Sequence, residues 1–238
     1  MRISTPKIVK SFVLSLCAVL SLGRAHAGTV QFSLPIQSMS GDHMAVRSWQ
    51  DMKFASTVRQ EYDFSCGSAA LATLLTYVYH VPVTEAAIFK SMYNHGDQAR
   101  IRRMGFSLLD MKSYLARHGV PSDGYKANLS TLAELRVPAI ALIDYRGYHH
   151  FVLIRGISDN QVLISDPSLG LRTESSAAFE HQWSGIFFAI TTDLKQARIA
   201  FNSPSIWHAV PEPPIRMARF QIHDLDLPAN GWQALNAF

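Results

Sequence analysis

Three residue types that together can carry out nucleophilic catalysis at a carbonyl occur in order along this sequence. Cys66 carries a thiol, the adjacent His149 and His150 carry imidazoles, and Asp166 carries a carboxylate. In cysteine chemistry the thiolate attacks, an imidazole accepts and returns the proton, and a third polar group orients that imidazole. The residue types and their order therefore indicate a cysteine nucleophile with a histidine base.

Each of these residues also has a structural interpretation. A lone cysteine can be a small buried hydrophobe, so the thiol by itself leaves both interpretations of Cys66 open. Asp166 followed by Pro167 is by itself a turn signal. Most of the ten histidines lie in predicted loops, helix ends or the C-terminal segment, where solvated or structural roles are common. Only the cysteine, histidine and aspartate taken together favour a triad.

Residues 1–27 have the organisation of a secretory signal. Basic residues precede an apolar run over residues 12–22, and a small-x-small cleavage site follows at residues 25–27, so the mature protein is expected to begin near Gly28. The run is shorter than the ~20 apolar residues that a spanning helix needs, and no later run approaches that length. We therefore expect an exported protein, periplasmic or secreted, with no stable membrane span after signal removal.

Removal of this segment changes the charge and the cysteine count. It holds four of the 22 Lys and Arg residues and no acidic residue, so the remaining 18 basic residues balance the 18 Asp and Glu residues. A broad basic surface for nucleic acid is thereby excluded. The segment also contains Cys17, which leaves Cys66 as the single cysteine. An unpaired thiol in an oxidising compartment calls for a functional explanation.

The elements that would position these groups follow from periodicity. Residues 66–80 have apolar side chains at the spacing of a helix with one buried face, and Ser65 is a candidate N-cap. Cys66 then lies in the first turn, where the helix dipole favours an anion. Further helices are predicted from Thr84 to about Asn94, from Ser107 to Gly119, and over the short segment 131–135.

The second half of the chain is β-rich. Strands are predicted over residues 137–144, 150–157, 161–166 and 185–191, separated by Gly, Asn and Asp turns. Successive side chains of a strand face opposite ways, so His150 lies on the face of Val152 and His149 on that of Phe151. Only one of the two histidines can address the thiol. A short turn between the second and third strands would bring Asp166 back beside the His150 end.

These patterns predict an α+β fold, with N-terminal helices packed on a C-terminal antiparallel β-sheet. We assign residues 1–27 to the signal, 28–47 to a lead-in segment, 48–191 to the catalytic domain and 192–238 to a C-terminal extension. The lead-in is predicted to be an extended strand or loop as far as about residue 59. The extension lacks periodicity and contains Pro-rich residues 211–214, so a solvated tail is favoured over a partner-docking segment.

Three segments resemble a known family. The stretch QEYDFSCGSAALATLL is similar to the active-site segment of the bacteriocin-processing peptidases, papain-like enzymes that remove double-glycine leader peptides. CGSAAL matches their Cys-Gly-x-Ala-x-Leu pattern, and HHFVLI with ISDPSLG resembles their His-Phe-Val-Val-Leu and Asp-Pro segments. Ser65 stands where the family commonly has aspartate. The likeness covers residues 48–191 and implies the papain-like fold.

The resemblance implies a role for each residue. It makes Cys66 the nucleophile, His150 the base, Asp166 the orienting residue, and Gln60, six residues before the cysteine, a donor to the oxyanion. It further implies a stand-alone exported endopeptidase that needs no cofactor or metal and acts on a peptide or protein substrate. A secretion or surface-fibre pathway is one setting, with a component of that pathway as partner. Two alternatives stay open, a non-catalytic peptide-recognition domain and a thiol acyltransferase.

Overall fold

The structure is a computed structural model, and it describes residues 47–145 and 147–212. The predicted signal, nearly all of the lead-in segment and residues 213–238 of the predicted extension lie outside the described residues. Within the described ranges, no helix is both long enough and apolar enough to cross a bilayer.

Helices and strands follow one another through the described residues. The helices are α1 (Trp49–Lys53), α2 (Cys66–Tyr77), α3 (Glu85–His95), α4 (Gln98–Met104), α5 (Leu108–Arg117), α6 (Leu129–Leu135), α7 (Ser176–Gln182), α8 (Leu194–Ala200) and α9 (Pro204–His208). The strands are β1 (Ser122–Lys126), β2 (Ala139–Tyr145), β3 (Tyr148–Ile157), β4 (Gln161–Asp166), β5 (Gly170–Ser175) and β6 (Trp183–Ile190). The predicted α+β class is confirmed.

Helix α2 begins at Cys66, as predicted, directly after Ser65. The prediction of one buried face is wrong, because every residue from Cys66 to Leu75 is buried. A helix that is apolar all round has to be surrounded by other elements. Gly67 allows neighbouring side chains to approach α2 closely, since an added Cβ there would lie 2.8 Å from the Met111 side chain and 3.1 Å from that of Phe106.

Side-chain caps explain where the next helices start. Thr84 accepts a hydrogen bond from the third residue of α3, and Ser107 forms a full capping box with Asp110 at the start of α5. Helices α3, α5 and α6 confirm the predictions for those segments. Helix α4 was not predicted, and α1 lies where the sequence indicated an extended lead-in, because Ser48 caps it through the backbone N–H of Asp51.

The six strands form one antiparallel sheet in the order β1-β6-β2-β3-β4-β5. Strands β2, β3, β4 and β6 confirm the four predicted runs to within two residues at their ends. Strands β1 and β5 were not predicted. They lie at the two edges of the sheet. Strand β1 is largely exposed, and β5 has Leu171 as its only large apolar residue, so neither has the apolar alternation that marks a strand in sequence.

Both faces of the sheet are covered. On one face, α2, α3 and α5 pack against residues that include Phe151 and Leu153. On the other, α6, α7 and α8 pack against residues that include Val152 and Ile154. The alternation expected for β3 is thus confirmed, and the helix that carries Cys66 lies on the Phe151 face.

The described residues beyond 192, which end at residue 212, differ from the prediction of a solvated tail. Helices α8 and α9 bury Ala197 and Ile206, and Phe201 directly after α8 is buried as well. Between them, the Asn202 side chain accepts from the backbone N–H of Ile157 at 2.8 Å and donates to its carbonyl at 2.8 Å. The Asn202 amide thus forms the pair of backbone hydrogen bonds that a neighbouring strand would form. Such a contact leaves no periodic pattern in the sequence.

Candidate active site

The Cys66 thiol lies at the floor of a cleft. The side chain is 5% exposed, and it lines a cavity of about 600 Å³ together with residues from α4, from the start of α5 and from the β2–β3 turn. The first N–H groups of a helix have no intrahelical carbonyl partner, so the backbone amide of Cys66 is free to act as a donor toward the cleft. The position combines a thiol, a backbone N–H without an intrahelical partner and an open cavity.

His150 and Asp166 are held together by strand pairing. The register of β3 and β4 opposes Leu153 to Ser165, which sets Asp166 diagonally from His150 on the same face. His150 Nε2 donates to Asp166 Oδ1 at 2.8 Å, and both side chains are buried. Asp166 therefore lies at the His150 end of the hairpin, as expected from the sequence.

The second ring nitrogen of His150 is not used by Asp166. Nδ1 is buried and has no hydrogen-bond partner of regular geometry. The Cys66 thiol is nevertheless close enough to raise the pKa of the imidazole. Cys66 packs on the Phe151 face of the sheet, whereas His150 points to the opposite face. The two groups can still approach each other because His150 lies close to the start of β3, at the end of the sheet.

Electrostatics favour the charged form of both partners. Burial, the largest single influence on His150, lowers its pKa, but the Asp166 carboxylate and the Cys66 thiol outweigh burial and raise that pKa to about 9. Burial by itself would raise the pKa of the Asp166 carboxyl. The hydrogen bond to His150 and the nearby Arg172 outweigh burial and bring this pKa below its ordinary value. At neutral pH the pair is an imidazolium and a carboxylate.

Asp166 has more partners than the sequence indicated. Its Oδ1 also accepts from the backbone N–H groups of Ser168 at 2.9 Å and Leu169 at 3.2 Å, and its Oδ2 accepts from Arg172 Nε at 3.2 Å. The two backbone donors come from the turn that Asp166-Pro167 was expected to mark. Aspartate followed by a turn can accept from its own backbone in this way, but no signal in the sequence indicated Arg172.

Gln60 lies next to the same turn. Its side-chain Oε1 accepts from Ser168 Oγ at 2.9 Å, and its Nε2 donates to the carbonyl of Tyr62 at 3.0 Å. Its backbone N–H donates to the carbonyl of Pro167 at 3.1 Å. The amide is therefore held at both ends, and one of the two N–H bonds of Nε2 is not used by the Tyr62 contact.

Tyr148 is a neighbour of the site that sequence analysis missed. Its hydroxyl donates to the Asp63 carbonyl, and its ring lies 6.2 Å from that of His150, centroid to centroid. It lines both the cleft above Cys66 and a second cavity of about 350 Å³ beside His150 and Asp166. The side chain therefore stands between these two cavities.

His149 lines the same cleft as Cys66 but is not hydrogen-bonded to His150 or Asp166. Its side chain is 68% exposed, and its Nδ1 lies 3.9 Å from an Asp144 carboxylate oxygen. The structure thus brings His150 to Asp166 and the thiol, brings Gln60 to the Asp166 turn, and leaves His149 exposed in the wall of the cleft. Within the described ranges, no group of three or more His, Cys, Asp or Glu side chains is arranged to hold a metal ion.

Known proteins that are similar to this chain include peptidases. Residues 55–195 match the peptidase C39 family. A relative named probable functional amyloid protease FapD, from Pseudomonas aeruginosa, is 37% identical over 183 residues, which cover 76% of this chain and 80% of the relative. The protein of the same name from Pseudomonas fluorescens is 39% identical over 180 residues, which cover 74% and 78%.

Two solved structures are similar at lower identity. The peptidase domain of Streptococcus ComA, a bifunctional ABC transporter of a quorum-sensing pathway, has a TM-score of 0.49 and 22% identity, over 57% of this chain and 96% of that domain. A double-glycine motif protease of an AMS/PCAT transporter, solved with its leader peptide, has a TM-score of 0.49 and 22% identity, over 56% and 89%.

Proposed function

The chain belongs to the peptidase C39 family and is a cysteine peptidase, and from this premise we propose that Cys66, His150, Asp166 and Gln60 form its catalytic site. The observation that carries the proposal is the buried His150. Its Nε2 donates to Asp166 at 2.8 Å, while Nδ1 has no regular partner and the Cys66 thiol lies beside the ring. An imidazole held at one nitrogen and free at the other is suited to exchange a proton with a thiol.

The chemistry then follows from the positions of these groups. His150 holds the proton as an imidazolium, and the Cys66 thiolate attacks the carbonyl carbon of the scissile bond. The oxyanion that forms accepts from the Cys66 backbone N–H and from the second N–H of Gln60 Nε2. The imidazolium returns its proton to the leaving amine, and water, deprotonated by the same ring, then releases the acyl group from the sulfur. Asp166 stabilises the imidazolium throughout.

We propose that the substrate is an exported polypeptide of a surface-fibre pathway. The support is that the two relatives of 37% and 39% identity are named probable functional amyloid proteases. The signal-like residues 1–27 would take the enzyme to the same compartment, periplasmic or extracellular, so we further expect the mature chain recovered from that compartment to begin near Gly28.

Discrete cleavage of a fibre protein is the first expected result. The purified protein, incubated with the exported proteins encoded beside its own gene, is expected to yield defined fragments that mass spectrometry can map. The Cys66→Ala variant, which lacks only the sulfur, is the matched control and should leave the same proteins intact. Fragments that also form with Cys66→Ala, or no fragments from any of these proteins, would contradict the proposal.

Gln60→Ala is expected to lower kcat by about 10²–10³-fold, the usual effect of losing one oxyanion donor. Folding should be unaffected, because the amide is only half-buried and its backbone bond to Pro167 remains. Steady-state kinetics on a peptide spanning the mapped cleavage site would measure the loss.

Ser168→Ala is the control for this variant. It removes the hydroxyl that orients the Gln60 amide but leaves the donor in place, so a loss of about tenfold or less is expected, in the range of one neutral hydrogen bond. If Gln60→Ala and Ser168→Ala lose the same small factor, Gln60 holds the turn and does not stabilise the oxyanion.

A further inference from the structure

A buried guanidinium lies away from the catalytic centre. Arg155 is five residues after His150 on β3, about 17 Å along the strand, and only 5% of the residue is exposed. Arg155 has no role in the proposed peptidase mechanism. Arginine is among the residues that are almost never fully buried unless they are paired.

The contacts of Arg155 do not compensate its charge. Nη1 is 3.4 Å from the Ser56 carbonyl and 3.5 Å from Ser165 Oγ, both longer than a regular hydrogen bond. Nε is buried and has no partner. Among the described residues, no aspartate or glutamate oxygen forms an ion pair with this guanidinium.

Three carbonyls at and just after the nearby end of α2 already accept other donors. The Leu74 carbonyl accepts from Val78 and Tyr79, that of Leu75 from Val81, and that of Val78 from Gln196 Nε2. Burial lowers the pKa of Arg155 to about 10, which still leaves the group charged at neutral pH. A buried charge without a partner carries a large desolvation cost, so an anion that reached it would be strongly favoured.

Arg155 lines a cavity that could admit such an anion. The volume is about 250 Å³, and the lining includes Tyr77 at the end of α2, His80 after it, and Ser203 and Ser205. The Oγ atoms of the two serines are 2.8 Å apart, so only one hydroxyl hydrogen is used between them and the other is available. The described residues that line the cavity include no aspartate or glutamate.

The walls of the cavity are held in place. Asn202 N donates to the Arg155 carbonyl at 3.0 Å, in addition to the paired bonds of its side chain with Ile157. The neighbouring Gly156 leaves no gap, since an added Cβ would lie 2.2 Å from Asn202 Oδ1. The loop between α8 and α9 is thus fastened to β3 beside the guanidinium, so the cavity is already formed without a ligand.

We propose that this cavity is a binding site for a small oxyanion, a carboxylate or a phosphate group, held by the Arg155 guanidinium and by the hydroxyls of Ser203 and Ser205. The geometry suits this class because a guanidinium can pair with two oxygens at once, and the available serine hydroxyl can donate to a further oxygen. The cavity is below the ~300–1,000 Å³ of sites for drug-sized ligands. Binding is separate from peptide hydrolysis and stabilises the α8–α9 region against β3.

Thermal unfolding of the full mature chain tests the proposal. Sodium acetate and inorganic phosphate are titrated separately at pH 7.5 and constant ionic strength. A ligand that binds only the folded state is expected to raise Tm by roughly 3–6 °C at about ten times its Kd. Whichever of the two gives the saturating rise identifies the group as carboxylate or phosphate.

Two variants separate this site from general salt effects, since phosphate stabilises most folded proteins through exclusion from their surface. Arg155→Met keeps the volume of the side chain and removes the charge, and it should lose the saturating rise. Arg198→Met removes an exposed arginine that lines the neighbouring cavity but not this one, and it should keep the rise.

The proposal is overturned if neither anion gives a saturating rise in the wild-type protein, or if Arg155→Met responds as the wild type does. Replacement of a buried charge by an apolar group is often tolerated, so we expect Arg155→Met to fold. Should it not, the Ser203→Ala, Ser205→Ala double variant decides: a weaker apparent affinity supports the site, and an unchanged affinity excludes it.

Discussion

His150→Ala is expected to abolish peptidase activity, with a loss in kcat/KM of about 10³-fold or more. The imidazole takes part in both proton transfers, and removal of one member of such a unit costs nearly as much as removal of all. Cys66→Ala gives the reference for a dead enzyme. Kinetics on a peptide that spans the mapped cleavage site, with circular dichroism on each variant, would measure the effect.

His149→Ala is the matched control for this prediction. It removes the same side chain one residue earlier, at a position that is 68% exposed and 3.9 Å from Asp144. His149 lines the cleft but has no bond to Asp166, so the variant keeps the base and should retain activity within about threefold of the wild type. An inactive His149→Ala together with an active His150→Ala would mean that the assignment of the base is wrong by one residue.

Asp166→Asn is expected to lower kcat by about 10²–10⁴-fold and to change the pH profile. The carboxylate raises the pKa of His150, which lies at about 9 in the wild-type protein. The wild-type rate should therefore fall as pH rises through about 9, because the imidazolium that protonates the leaving amine is lost. Without the carboxylate the pKa of His150 falls, so the same decline should begin at lower pH.

Glu174→Gln provides the control for the charge change. Glu174 accepts from Arg172 and from Gln182, and it does not contact His150. The variant loses one negative charge close to Arg172, yet its rate should still decline near pH 9. If both variants moved the decline equally, a general charge effect would explain it, and Asp166 would not have a special position beside the imidazole.

Much of the site could be predicted from local patterns. The helical spacing after Ser65 placed Cys66 at the start of α2, although the Ser65 side chain forms no capping hydrogen bond. The alternation of β3 separated the two adjacent histidines correctly, and the short β3–β4 hairpin indicated that Asp166 returns toward His150. These predictions succeeded because each depends on residues close together in the chain.

The neighbours of the site could not be predicted in that way. Tyr148 reaches a carbonyl 85 residues earlier, at Asp63, and Ser168 reaches Gln60 across 108 residues. Arg172 contacts Asp166 only because β5 folds back on β4. Polar contacts of this kind have no periodicity, so nothing in the sequence distinguishes these residues from exposed polar ones.

The sequence by itself determined helices α2, α3, α5 and α6 and the inner strands of the sheet, which face of β3 carries His150, and, through its motifs, the peptidase family. Only the tertiary structure decided that α2 is buried all round and that the thiol and the imidazole meet at the end of the sheet. It also decided that residues 194–208 pack on the domain and that Arg155 is buried without an acidic partner. The physical reason is the range of the interactions. Periodicity and caps are local properties of the chain, whereas burial and the pairing of charges depend on which distant segments pack together.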